Sequence, residues 1–173
     1  MSGLYVIPLS VLKAGYNNFD FEIGREFFEL FEESEIMEGQ LRVSVAADKG
    51  SSHIDLEIRI DGEVSVTCDR CLEMFGFPIA CVNRLLIRYG RERDEADPVI
   101  IMLPADEHEL DIKQYLYEFI HLALPIKRVH PDDENGVSSC DPLMIEKLKK
   151  HLVSGKGTSD ARWDGLKQLM IDN

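Results

Sequence analysis

The sequence has 173 residues, with 19 Lys and Arg against 32 Asp and Glu, a formal net charge of −13. Hydrophobic residues at 45% and charged residues at 29% are globular proportions, which excludes wholesale disorder and suits a single domain with an appendage. Apolar runs such as Val99–Leu103 and Leu122–Leu124 fall far short of the ~20 residues of a membrane helix.

No basic stretch followed by an apolar core opens the chain, so no secretory signal is expected. Four cysteines at this length do not make a disulfide scaffold. The expectation is a soluble, acidic, cytoplasmic protein.

In chain order, Tyr5–Leu9 and Phe19–Ile23 read as strands and Arg25–Glu33 as a short helix. Leu41, Val43, Val45 and Ala47 then alternate with Arg42, Ser44, Ala46 and Asp48 until Lys49-Gly50 breaks the run. Ile54, Leu56, Ile58 and Ile60 alternate with polar neighbours in the same way, the mark of a half-buried strand. Asp61-Gly62 predicts a tight hairpin turn, with Val64, Val66 and Cys68 on the return strand. A long strand is predicted from about Phe77 to Tyr89, with Cys81 on its apolar parity, and a short one over Val99–Met102.

Past residue 105 the period changes. Ile112, Tyr115, Leu116, Phe119, Ile120 and Ala123 lie on one helical face. Asp111 and Gln114 have the spacing of a capping box, and Pro125 stops the helix. Asp141-Pro142 opens a second helix with Met144, Leu148 and Leu152 on its apolar side. Residues 1–153 are thus one α+β domain, a curved and mostly antiparallel sheet, open or barrel-like, followed by helices. Residues 154–159 form a Gly/Ser linker, and 160–173 a terminal amphipathic helix that either docks on a partner or packs on its own domain.

The charge is uneven. Residues 141–173 carry six Lys or Arg against five acids, a net of +1, whereas residues 1–140 carry a net of −14. The dense basic cluster of the body is Arg84, Arg88, Arg91 and Arg93, read most simply as solvated strand and loop positions. Such a balance favours a basic protein surface as partner over naked nucleic acid.

Cys68-Asp69-Arg70-Cys71 is the compact chemical constellation. A thioredoxin-like pair would need a helix N-terminus to lower the first thiol's pKa, and no helix signal follows Cys71. A structural zinc site needs two further donors. Cys81 shares the parity of Ile79, Leu85 and Ile87 and reads as core, whereas His130 and Cys140 flank a polar loop. The candidate ligands are therefore Cys68, Cys71, His130 and Cys140, against the plainer alternative of two reduced surface thiols. A closed site of this kind would tie the helical tail to the sheet. Asp132-Asp133-Glu134 reads as solvated, and His53, His108 and His121 as unspecialised. G-x-S-x-G, P-loop, G-x-G-x-x-G and H-E-x-x-H motifs are absent from the sequence.

Four pieces in order carry a family resemblance: C-x-R-C-L-E at Cys68–Glu73, L-A-L-P at Leu122–Pro125, then His130 and Cys140, and D-x-R-W-x-x-L-x-x-L from Asp160 to Leu169. Over about residues 60–170 the chain resembles the YceD-like proteins, the large ribosomal RNA subunit accumulation family. Two departures stand out: Ala161 occupies a position often held by proline, and the segment around Cys140 varies among relatives. The resemblance implies a non-enzymatic factor for accumulation of large-subunit ribosomal RNA and assembly of the large subunit, with no catalytic residues. On this reading the partner is a large-subunit precursor or a basic ribosomal protein, and direct contact with RNA is left open. No membrane and no small-molecule substrate are implied. Arg162, Trp163, Leu166 and Leu169 become the partner-binding candidates, and one structural zinc the candidate cofactor. The alternatives are a small zinc- or thiol-dependent oxidoreductase and a generic acidic adaptor.

Overall fold

The computed structural model describes residues 4–32, 34–90, 100–104 and 106–152. The proposed linker 154–159, the terminal helix 160–173 with Arg162, Trp163, Leu166 and Leu169, and Arg91 and Arg93 lie outside the described residues.

The main sheet has five strands: β2 (Gly15–Ile23), β3 (Glu38–Lys49), β4 (His53–Thr67), β5 (Met74–Tyr89) and β6 (Ile100–Leu103). They lie in that order; β2 through β5 pair antiparallel, and β6 runs parallel to the end of β5. Among the described residues the sheet does not close into a barrel, β2 and β6 remaining its edges. A second, two-stranded sheet pairs β1 (Val6–Pro8) with β7 (Glu109–Asp111), an element with too few residues to show a period. Among the described residues three α-helices accompany the sheets: α1 (Arg25–Phe28), a single turn shorter than the predicted Arg25–Glu33, α2 (Lys113–Ala123) and α3 (Pro142–His151).

The alternation in the sequence decides which face is wet. Leu41, Val43, Val45 and Ala47 of β3 and Ile54, Leu56, Ile58 and Ile60 of β4 are all buried, while Arg42, Ser44, Asp55 and Arg59 between them are exposed. Against that face pack Ile7, Phe27, Phe28, Leu110, Ile112, Leu116 and Ile120, so β1, α1, β7 and α2 form the second layer of one core. Cys81 sits half-buried at its edge, as its parity predicts. The Asp111 carboxylate accepts the Lys113 amide at 2.8 Å, whereas Gln114 bonds Glu118 and does not complete a capping box. Pro78 falls on the part of β5 that β6 does not reach, where a missing N–H costs nothing.

Asp61-Gly62 is not a hairpin turn. β4 runs straight through it, with Gly62 opposite Leu41 on one side and Ile79 on the other. Gly62 has φ +149, and a side-chain methyl there would collide with the Gln40 carbonyl oxygen. The glycine serves close approach of two strands in mid-sheet, so the local turn signal gives way to pairing on both sides. The turns of the ribbon lie instead at residues 50–52 and, between β4 and β5, at Cys68–Glu73.

Candidate metal centre

The β4–β5 turn is a knuckle. Cys68 N–H donates to the Glu73 carbonyl at 2.9 Å and Leu72 N–H to the Cys68 carbonyl at 2.9 Å, which folds the six residues back on themselves. Closing so tightly puts Leu72 at φ +65, a left-handed conformation that costs a leucine roughly 1–2 kcal/mol. Leu72 is also solvent-exposed, so no packing of its own offsets that strain.

The segment after α2 is clamped onto the knuckle. Asp69 N–H donates to the Arg128 carbonyl at 2.7 Å, and Arg128 N–H returns to the Asp69 carboxylate at 2.6 Å. Arg128 also pairs with Glu35 at 2.8 Å. Two residues on, the His130 ring lies 4.6 Å from that of Phe75, the second residue of β5. The loop that follows is a small hairpin, bridged at Asp132 and Ser138, with Asp133 accepting the amides of Asn135 and Val137 and Gly136 taking φ +75 at its tip. Asp132, Asp133 and Glu134 are exposed and take no part in the donor group, as the sequence reading expects. The hairpin returns the chain so that Cys140 is buried beside the knuckle. Asp141 then caps α3 by accepting the Leu143 amide at 3.0 Å, with Pro142 in the first turn.

Cys68, Cys71, His130 and Cys140 thereby converge, one donor atom from each lying within 4.8 Å of all the others. Cys68 Sγ is 3.6 Å from Cys140 Sγ, and His130 Nδ1 is 3.3 Å from Cys71 Sγ and 3.6 Å from Cys140 Sγ. A tetrahedral zinc with bonds of about 2.3 Å to sulfur and about 2.0 Å to nitrogen needs S–S edges of about 3.8 Å and S–N edges of about 3.6 Å. Three of the six edges of the donor set, at 3.3–3.6 Å, are close to those of that tetrahedron, and none of the six exceeds 4.8 Å. The cysteines are free thiols, and 3.6 Å is far beyond a disulfide bond of about 2.0 Å.

The electrostatics run the same way. Burial pushes the Cys68 thiol up, but the amides of Cys71, Arg70 and His130 and the His130 ring outweigh it and bring the pKa down to about 6. Burial likewise raises Cys140, and hydrogen bonds from Ser138 and Arg70 reverse it to a net lowering. Cys71 is held up, first by burial and then by the neighbouring Cys68 and Cys140. The surroundings thus favour the thiolate at Cys68 and Cys140 and the thiol at Cys71. His130 is raised by its bond to Cys68, with burial opposing. A low thiol pKa also serves redox pairs, but the chain leaves this knuckle as strand β5, so the Cys68–Cys71 pair does not open a helix of its own.

All four donors inferred from parity and loop position are brought together, and Cys81 is not among them. Three contributors lay beyond the sequence reading: the Asp69–Arg128 clamp, the Phe75 ring, and Arg70, whose guanidinium reaches Cys140, Ser138 and Asp132. The bland reading of the arginine cluster holds at Arg84, which is exposed and pairs with Glu57 at 3.0 Å. His121 is half-buried, its ring tilted at 40° against that of Tyr117 with centroids 4.1 Å apart.

A family model described as large ribosomal RNA subunit accumulation protein YceD matches residues 56–170, a span running from within β4, through Cys68, Cys71, His130 and Cys140, into the proposed segment 160–173. No curated protein and no solved structure matches.

Proposed function

The chain belongs to the YceD family of large ribosomal RNA subunit accumulation proteins, and from that membership we propose that it is a non-enzymatic assembly factor for the large ribosomal subunit. The observation that carries this reading is the family match over residues 56–170, which takes in two thirds of the sequence. The charge supports action by binding. A region of net −14 suits a basic ribosomal protein, or a basic surface of a pre-ribosomal particle, better than bare RNA. Residues 160–173, with Arg162, Trp163, Leu166 and Leu169, are the second contact in this scheme.

We also infer that Cys68, Cys71, His130 and Cys140 hold one structural zinc. Four converging protein donors leave no open position for substrate, which suits a structural and not a catalytic metal. The ion would fasten the segment 125–152 to the sheet, a role the packing supports: α3 has no fully buried residue, and its Met144 and Ile145 pack against the cysteine cluster.

The test is sedimentation of native lysate at low and high salt. Co-migration with free large subunits or their precursors, lost as salt rises, is the expected result. Association that does not weaken with salt would refute the electrostatic account, and absence from every ribosomal fraction would count against the assembly role.

A further inference from the structure

Arg70 lies between the two knuckle cysteines, yet its side chain turns to the other half of the centre. Its Nε donates to Cys140 Sγ at 3.1 Å, one Nη bonds Ser138 Oγ, and the same Nη lies 3.9 Å from the Asp132 carboxylate. The guanidinium is therefore held by three residues of the hairpin that delivers Cys140. Three thiolates and one divalent ion leave a single negative charge, and the Arg70 cation is the nearest group of opposite sign bonded to a donor sulfur.

We infer that Arg70 is the positioning residue of the metal centre: its N–H···S bond fixes Cys140 as a ligand and its charge neutralises the loaded site. The inference rests on the zinc reading above. The planar fork is what the geometry requires, because one edge must face sulfur while a second nitrogen reaches the hairpin; a lysine ammonium supplies the charge without that division. An N–H···S bond draws electron density from the thiolate and makes the sulfur a poorer nucleophile towards oxidants and competing metals, while the fixed position of Cys140 and the Arg70 charge retain the ion.

The test compares the full chain with Arg70→Gln, Arg70→Lys and Asp132→Asn. Zinc content is measured first, then the rate of zinc transfer to a colorimetric chelator. The cobalt-substituted proteins then give the energy of the thiolate-to-metal charge-transfer band. Arg70→Gln should release zinc roughly 10–100-fold faster and move the band to lower energy, because the undrained sulfur gives up charge more readily. Arg70→Lys should fall between, and Asp132→Asn, which leaves the N–H···S bond intact, should keep the wild-type band. An Arg70→Gln protein with unchanged band and release rate would overturn the inference. So would an Asp132→Asn band shifted as far as that of Arg70→Gln, since the effect would then come from the hairpin. Wild-type protein that binds neither zinc nor cobalt would instead sink the zinc reading itself, and this inference with it.

Discussion

Replacing both knuckle thiols, Cys68→Ser with Cys71→Ser, removes half the donor set without removing a side chain of much size. The ion would cross-link Cys71 to His130, which are 59 positions apart. Treated as a covalent loop of that length, the link takes from the unfolded chain a conformational freedom worth about 4 kcal/mol. Against a total stability of about 5–15 kcal/mol, losing it lowers the melting temperature by roughly 8–16 °C in a chain of this size. Thermal unfolding by circular dichroism, with metal content measured on the same samples, reads both quantities. Buried serines also carry a penalty of their own, so a control is needed. After chelation, wild type and double variant should lie within about 1–2 kcal/mol of each other, because the metal term is then gone from both. A gap of full size surviving chelation would show that the cysteines act by packing alone. A variant that melts with the wild type, or still carries one zinc, would refute the reasoning outright.

Chelation should also act locally. Amides of residues 126–152 should lose protection in hydrogen exchange while those of β3, β4 and β5 keep theirs, because α3 rests on the cysteine cluster and the sheet has its own core. Uniform loss of protection would instead mean one cooperative unit. Gly62→Ala should destabilise by about 3–5 kcal/mol in urea unfolding, since the methyl meets the Gln40 carbonyl at a φ of +149. A cost below about 1 kcal/mol would mean the strand crosses this point differently.

The sheet was legible where one face is dry. In β3 and in β4 up to Ile60 the apolar parity is unbroken, and burial follows it residue by residue. Asp61-Gly62 misled because a turn signal is local, whereas pairing with Leu41 and Ile79 on both sides decides that the strand continues. The three-residue β7 is set by its pairing with β1 and carries too few positions for any period, whereas β1 falls within the strand read at Tyr5–Leu9. At the centre, residue chemistry picked out the four side chains that converge, since paired thiols and a His/Cys pair flanking a loop are the donor types of a zinc site. Arg70 was invisible as a contributor because nothing in the sequence says that a side chain between two cysteines will turn towards a third, 70 positions away. Leu72 is similar: glycine would announce the left-handed conformation, and leucine conceals it.

The four donors also differ in when they exist. Cys68 and Cys71 belong to a ribbon whose strands are neighbours in sequence, so that half of the centre can fold as soon as β5 is made. His130 follows Cys71 by 59 positions, which at about 5–20 residues per second is a delay of roughly 3–12 s on the translating ribosome. In the zinc reading, an ion caught by the nascent knuckle spends those seconds on two sulfurs with two positions open to exchange. His130 would then fill the first of those positions, and Cys140, ten residues further on, the second.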